Sequence, residues 1–180
     1  MESSEQIIGK TKKWINDVIV GSNFCPFAAN VIKQQAVHYE VDTRVFSTFS
    51  TDSFLSELDR LDNNDTIETT FLIYPNSFES FDDYLNMVAL AEEFLESNDY
   101  DGIYQLASFH PLYQFANSPL NDAANYTNRS VYPMLHLLRE ASIDKALEHY
   151  KNPEEIPNRN INFAREKGHV YMKMLRDACL

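Results

Sequence analysis

His110 and the polar residues after it are the side chains best suited to chemistry in this sequence. His110 follows an apolar run of strand length, and Pro111 favours an extended conformation for it. Because the ordinary pKa of histidine lies near neutral pH, His110 is a candidate general acid or base. The alternative is a structural histidine that bonds to a backbone carbonyl.

Polar side chains are concentrated at residues 125–130. Amide, hydroxyl and guanidinium groups hold phosphate or carboxylate oxygens, so this run is predicted to bind an anionic substrate. Its members are Asn125, Tyr126, Thr127, Asn128, Arg129 and Ser130. Asn and Ser side chains also bond to nearby main chain, and the alternative is therefore a loop that these residues pin in place.

A third group of polar residues comes from a helix predicted over residues 133–150. Helical spacing places His136, Arg139 and Glu140 on one side of it, either as a structural network or as the floor of a site. Arg159 can add a guanidinium at the same place. No metal or cofactor site is predicted, because no second histidine stands at ligand spacing from His136, and the alternative is a metal held by His110 with Asp122.

Cys25 is the remaining candidate for chemistry. Pro26 is predicted to open a short helix that ends near residue 34, with Cys25 as its cap. The helix dipole would then favour the thiolate and make Cys25 reactive. The alternative is a buried structural cysteine.

Apolar periodicity predicts the elements that position these residues. Helices are expected at 5–20, 26–34, 52–62, 80–95, 133–150 and 157–179. Strands are expected at 67–74 and 103–109, and residues 37–41 and 45–49 form either one strand or two. Strands and helices alternate over 37–109, which is typical of crossover connections. The predicted fold is α/β: a single domain, residues 1–180, in which helices from both termini cover a small parallel or mixed sheet of about three to five strands.

The connection at residues 110–133 has no sustained periodicity. Connections this long are uncommon in compact domains, and its four aromatic residues favour an ordered functional loop over disorder. It begins where the third predicted strand ends. Since ligands of open α/β sheets bind beyond the carboxyl ends of the strands, the site is expected there.

Composition excludes several classes of partner. The formal net charge of −12 opposes binding to nucleic acid or to an anionic membrane surface. The acidic excess lies between residues 45 and 128, with 15 acidic residues and one basic residue, so a small anion can still be met by C-terminal arginines. Four scattered glycines do not form a nucleotide-binding loop. Without a signal peptide or an apolar run long enough for a bilayer, a cytoplasmic location is expected.

Several longer motifs resemble a known family. They are the runs at residues 23–28, 105–115, 125–130, 132–142 and 156–161, which include Asn-Phe-Cys-Pro-Phe-Ala and Leu-His-Leu-Leu-Arg-Glu. Together they resemble an uncharacterised bacterial family, the domain-of-unknown-function family 1415. The resemblance covers nearly the whole chain and implies a cytoplasmic, single-domain protein, with no known activity, cofactor or catalytic residue.

Two functions follow from the sequence. The first is an enzyme for a small anionic substrate, with His110 as acid or base, Arg129 and Arg139 as an anion clamp, and residues 125–130 as orienting donors. The second is a non-catalytic binding or protein-interaction module that uses the loop at 110–133 as its surface. The enzyme predicts a concave pocket lined by His and Arg, whereas the module predicts exposed Tyr113, Phe115 and Tyr126. Thiol chemistry at Cys25 is a third possibility.

Overall fold

One four-stranded mixed sheet lies between two layers of helices. The structure is a computed structural model that describes residues 2–45, 51–148 and 150–180. Its strands are β1 (Val37–Val41), β2 (Thr69–Ile73), β3 (Tyr104–Phe109) and β4 (Met134–Arg139). Its α-helices within these residues are α1 (Ser4–Trp14), α2 (Ala28–Lys33), α3 (Thr51–Asp62), α4 (Phe81–Ser97), α5 (Glu140–Leu147), α6 (Ile156–Lys167) and α7 (His169–Asp177).

The strand order in space is β1-β2-β4-β3. β1 and β2 are parallel and connected through α3, while β4 is antiparallel to both of its neighbours. β2 and β3 therefore run parallel to each other and are connected through α4. They are not adjacent in the sheet, because β4 lies between them. His136 of β4 lies opposite Phe71 of β2 and Ala107 of β3.

Alternation along the strands divides the core into two clusters. Since successive side chains of a strand point to opposite faces, Leu72, Leu135 and Leu137 pack against α3 and α4. Phe71, Ile73 and Met134 face the other layer, which the N-terminal and C-terminal helices form. The predicted α/β class and the cover from both termini are confirmed.

The predicted helix at 133–150 is wrong in its first half. Residues 134–139 form β4, and only residues 140–147 are helical. The run Met-Leu-His-Leu-Leu is almost entirely apolar, and a short apolar run does not distinguish a strand from a buried helix. The main chains of β2 and β3 supply hydrogen-bond partners on both sides, and these favour the strand. Because Arg139 lies three positions after His136 in β4, their side chains point to opposite faces of the sheet.

Two smaller differences occur at helix ends. The N-terminal helix continues as a π-helical segment, Ile15–Val20, and a Cβ at the following Gly21 would clash with the Asp17 carbonyl oxygen. The C-terminal helix breaks into α6 and α7 at Gly168, whose φ is 84°. The predicted strand at 45–49 lies outside the described residues except for Val45.

The predicted cap at Cys25 is wrong. α2 begins at Ala28, and its cap is Phe27. Cys25 lies in the turn before this helix, where its carbonyl oxygen accepts a hydrogen bond from the Ala28 amide at 3.3 Å. Its thiol therefore lacks the predicted position at a helix N-terminus. Among the described helices, none combines the length and apolarity that crossing a membrane requires.

Candidate functional site

Residues 110–133 form an ordered connection, which its own polar side chains hold together. Asn125, which is fully buried, accepts a hydrogen bond from the Phe115 amide and donates one to the Pro119 carbonyl oxygen, both at 3.0 Å. Thr127 donates to the Ala124 carbonyl oxygen at 2.9 Å and Asn128 to that of Ser108 at 3.2 Å. These donors therefore bond to main chain, as the structural alternative expects.

The rest of the run is equally enclosed. Ser130 donates a hydrogen bond to the carbonyl oxygen of Tyr132 at 2.6 Å. Tyr126 is 2% exposed, and its ring lies 5.4 Å from that of His169. Trp14 reaches the connection from α1 and donates its indole N–H to the Arg129 carbonyl oxygen at 3.0 Å. The connection is thereby fastened to the helical layer.

The structure does not bring the three candidate arginines together. Arg129 donates to the carbonyl oxygens of Tyr113 and Leu120. Arg139 lies on the other side of the sheet, where it donates to carbonyl oxygens at and after the end of α3. Arg159 donates to the Asn23 carbonyl oxygen and the Tyr150 hydroxyl. The three guanidinium groups share no hydrogen-bond partner in these contacts.

His110 is 1% exposed, and main chain occupies both of its ring nitrogens. Nε2 lies 2.7 Å from the Phe78 carbonyl oxygen and donates to it, while Nδ1 accepts a hydrogen bond from the Leu112 amide at 3.0 Å. Burial lowers the pKa of His110. Phe78, at the other end of this contact, has a positive φ of 59°, so His110 fixes an uncommon backbone conformation.

A cavity of about 590 Å³ lies over the sheet face that β1, β2, β4 and β3 present to the N-terminal segment. We call it the sheet-face cavity. Its walls come from the π-helical segment, the turn at Cys25, α2 and α5. A π-helical turn widens the helix locally and is frequent at functional sites. The cavity covers the amino halves of β1 and β2, and of the carboxyl edge that the sequence predicts only Phe109 lines it.

Three parallel rings cross the floor of this cavity. The ring centroids of Tyr39 and Phe71 are 5.7 Å apart with an interplanar angle of 9°. Those of Phe71 and His136 are 3.9 Å apart at 8°. Adjacent strands place these side chains on one face, so the three rings stack against one another in a row that ends in an imidazole.

His136 keeps one ring nitrogen without a partner. Its Nε2 lies 2.5 Å from Thr69 Oγ1, and the Thr69 hydroxyl donates its own hydrogen to the Leu137 carbonyl oxygen. Thr69 therefore accepts from Nε2–H, which leaves the lone pair on Nδ1. No described residue forms a hydrogen bond with that Nδ1. Burial lowers the pKa of His136 to about 3, so the ring is neutral at pH 7.

Other polar groups border the same cavity. Burial raises the pKa of Tyr39 to about 12, and its neutral hydroxyl has no hydrogen-bond partner among the described residues. The free thiol of Cys25 is half-buried in the wall. Ser142 donates to the carboxylate of Glu68, and Lys145 lies at an exposed position on α5.

The cavity unites only part of the predicted site. Cys25, His136 and Arg139 border it, although the Arg139 guanidinium is held on the other face of the sheet. Sequence reasoning missed Tyr39 and Thr69. Alternation along β1 and β2 could have placed Tyr39 and Thr69 on the sheet face that forms the cavity floor. Which residues of other strands lie beside them there can be known only from the order of the strands in the sheet. Arg159 and Asn160 do not line the cavity. They donate hydrogen bonds to the carbonyl oxygens of Asn23 and Phe24 and so hold the main chain just before Cys25.

The fold and this cavity define an α/β protein with a concave site on one face of a mixed sheet. The family model of DUF1415, a protein of unknown function, matches residues 6–174, and the chain therefore belongs to this family. No curated protein and no solved structure matches the chain significantly.

Proposed function

We propose that the protein binds a small molecule with a planar, apolar body in the sheet-face cavity. The observation that carries this proposal is the row of stacked rings of Tyr39, Phe71 and His136 on the floor of a mostly apolar cavity. Small-molecule sites are typically apolar cavities of a few hundred cubic ångströms with a few polar groups that fix orientation. A ring system placed on this floor meets the edges of the stacked rings and gains edge-to-face contacts in addition to the burial of its area.

The polar groups on the floor define the chemistry of the ligand. Nδ1 of His136 accepts a hydrogen bond, and the Tyr39 hydroxyl can donate one. A ligand that carries one donor and one acceptor satisfies both atoms, and leaving such groups unpaired when water is displaced costs about 1–3 kcal/mol each. The neutral imidazole of His136 offers no counter-charge, so the part of the ligand that contacts this ring should be neutral.

Catalysis on a small anionic molecule is the second candidate function. Two observations favour it: the Cys25 thiol and His136 border one cavity, and Lys145 can meet a carboxylate or phosphate at its rim. In this proposal the acid or base is His136 rather than His110, since His110 has no free ring nitrogen. A pKa of about 3 makes His136 a weak base, so an anion close to the ring must raise that pKa before proton transfer becomes efficient.

The interaction module has less support. It expects an exposed apolar patch of Tyr113, Phe115 and Tyr126, whereas Tyr126 is buried and the other two are half-buried. The expected compartment remains the cytoplasm, which the two free cysteines suit.

A ligand screen tests the proposal. Thermal shift and ligand-observed NMR should be run with neutral heteroaromatic compounds, aliphatic carboxylates and phosphate monoesters. We expect heteroaromatic compounds to raise the Tm. The Ala107→Phe substitution should abolish this shift, because Ala107 lies on the floor opposite His136. The matched control is Ala89→Phe at an exposed position of α4, which should bind as the unmodified protein does.

Each other result has a defined meaning. If no heteroaromatic compound binds, or if binding survives Ala107→Phe, the proposal is wrong. If only carboxylates or phosphates raise the Tm, and Lys145→Met removes that effect, the catalytic candidate takes its place.

A further inference from the structure

A second group of ligating side chains lies on the other face of the sheet. His38 and Glu40 belong to β1, where the intervening Tyr39 points into the sheet-face cavity. Two-residue spacing places His38 and Glu40 together on the face covered by α3. From α3, Glu57 projects toward them with a side chain that has no exposed surface. The ligand atoms of the three side chains all lie within 4.8 Å of one another.

The separations of these atoms match a metal coordination sphere. His38 Nε2 lies 3.5 Å from Glu40 Oε2 and 3.8 Å from Glu57 Oε2. Ligands bound tetrahedrally at about 2.0–2.1 Å from zinc are about 3.4 Å apart. Small side-chain adjustments would thus bring one imidazole nitrogen and two carboxylate oxygens onto a single ion.

The surroundings orient the buried glutamate toward this point. Glu57 Oε1 accepts a hydrogen bond from Arg60 Nε at 3.0 Å, and Oε2 accepts one from the Thr70 hydroxyl. Hydrogen bonds of this kind to a ligating carboxylate fix its direction and tune its affinity for metal. The Glu57 oxygen near Thr70 is also the one that lies closest to His38.

The charge balance of this cluster favours a cation. Glu40 and Glu57 carry two negative charges, and Arg60 supplies one positive charge, with its Nη2 at 3.8 Å from Glu40 Oε2. One negative charge therefore remains beside a fully buried carboxylate, where the low dielectric makes it costly. A cavity of about 450 Å³ borders Glu40, Glu57 and Arg60, which leaves room for water as a further ligand.

We propose that His38, Glu40 and Glu57 bind one divalent transition-metal ion, with zinc as the reference ion. One imidazole and two carboxylates suit Zn²⁺ and Mn²⁺ better than Mg²⁺ or Ca²⁺, which prefer oxygen ligands alone. This site lies on the face of the sheet opposite the sheet-face cavity. It is therefore independent of the function proposed for that cavity.

Calorimetric titration of the chelator-treated protein with ZnCl₂ at pH 7.5 tests the site. We expect one equivalent to bind, and His38→Ala and Glu40→Gln each to weaken binding at least tenfold. Both positions are partly exposed, so these variants should stay folded, which circular dichroism checks. Glu79→Gln, at an exposed position outside the cluster, is the control and should bind zinc normally.

Cobalt titration supplies a second measurement. Co²⁺ bound to one nitrogen and several oxygen ligands should show no intense thiolate-to-metal absorption, and its visible bands should disappear in His38→Ala. The proposal is overturned if no stoichiometric zinc binding occurs or if His38→Ala and Glu40→Gln bind zinc as tightly as the control. It is also overturned if Cys25→Ser alone abolishes binding, because the ion would then belong to the sheet-face cavity.

Discussion

His110 and His136 are both enclosed, and burial lowers the pKa of each, yet their surroundings differ. His110 belongs to the connection at 110–133, where main-chain groups occupy both ring nitrogens. His136 lies on the floor of the sheet-face cavity, where Thr69 occupies one nitrogen and no described residue occupies the other. Within the fold His110 uses both ring nitrogens, whereas His136 uses one and has an acceptor that no described residue engages.

This difference extends to the neighbouring side chains. Asn125, Thr127 and Arg129 bond to carbonyl or amide groups of their own connection. Tyr39 on the cavity floor and Cys25 in the cavity wall have a hydroxyl and a thiol without such partners among the described residues. Residue type alone therefore does not distinguish a candidate binding group from a structural one. The distinction depends on whether each polar atom already has a hydrogen-bond partner within the protein.

The largest expected effect is a difference in how much the loss of each histidine destabilises the protein. His110→Ala leaves the buried Phe78 carbonyl and Leu112 amide unpaired and opens a void, so it should lower the free energy of unfolding by about 3–4 kcal/mol. His136→Ala enlarges an existing cavity and should cost only about 1–2 kcal/mol. Urea denaturation of both variants measures this order. Equal costs, or the reverse order, would remove the distinction between the two regions.

The pH dependence of stability should depend on His136. Its pKa is about 3 in the folded protein and about 6.5 in the unfolded chain. Between these values the unfolded chain binds more protons, so stability is lost as the pH falls below 6.5, by about 2–3 kcal/mol at pH 4.5. The His136→Phe variant should therefore lose about 2–3 kcal/mol less stability than the unmodified protein when the pH falls from 7 to 4.5. His110 adds a dependence of the same sign that both proteins share, so identical slopes would contradict the buried neutral imidazole.

Cysteine reactivity should distinguish the open cavity from the packed helical layer. Cys25 is half-buried in the cavity wall, whereas Cys179 is 1% exposed and burial raises the pKa of its thiol. Iodoacetamide at pH 8 should modify Cys25 at least tenfold faster, a ratio that corresponds to about 1.4 kcal/mol in activation free energy. Peptide mass spectrometry gives the two rates, and Cys25→Ser provides the rate of Cys179 alone. Similar rates would mean that reagents do not enter the cavity.

The smallest effect concerns the tautomer of His136. Thr69→Val removes the acceptor of its Nε2–H and should cost about 1 kcal/mol. In the unmodified protein, long-range ¹H–¹⁵N spectra should show the proton on Nε2 and a bare Nδ1. In Thr69→Val we expect a mixture of both tautomers. An unmodified spectrum with the proton on Nδ1 would contradict the free acceptor on which the proposed ligand depends.

Several features follow directly from the sequence. The stripe of Phe54, Leu58 and Leu61 predicts α3, and the stripe of Tyr84, Val88 and Ala91 predicts α4, because a helix that covers a sheet must bury one face. The order of elements over residues 37–109 predicts an α/β fold. Four aromatic residues predict that the connection at 110–133 is ordered, and it is. These are local properties of the chain.

β4 shows where prediction from local pattern ends. Its residues keep a spacing that suits a helix, and only the unpaired edges of β2 and β3 select the strand. That choice turns His136 toward Tyr39 and Phe71 and sends the Arg139 guanidinium to the opposite face. The neighbours of His136 come from residues 39, 69, 71 and 107, and no periodicity within one segment reports such contacts.

The sequence by itself determined the class of the fold, the positions of most helices and strands, the uneven distribution of charge and the order of the long connection. Those properties depend on burial and hydrogen bonding over short stretches of chain. The tertiary structure decided which histidine has a free nitrogen, where the cavity lies and which arginines are already bound. These three features depend on contacts between segments that are distant in the sequence. A buried polar atom forms hydrogen bonds with the groups that the complete fold places beside it, and the local sequence does not specify those groups.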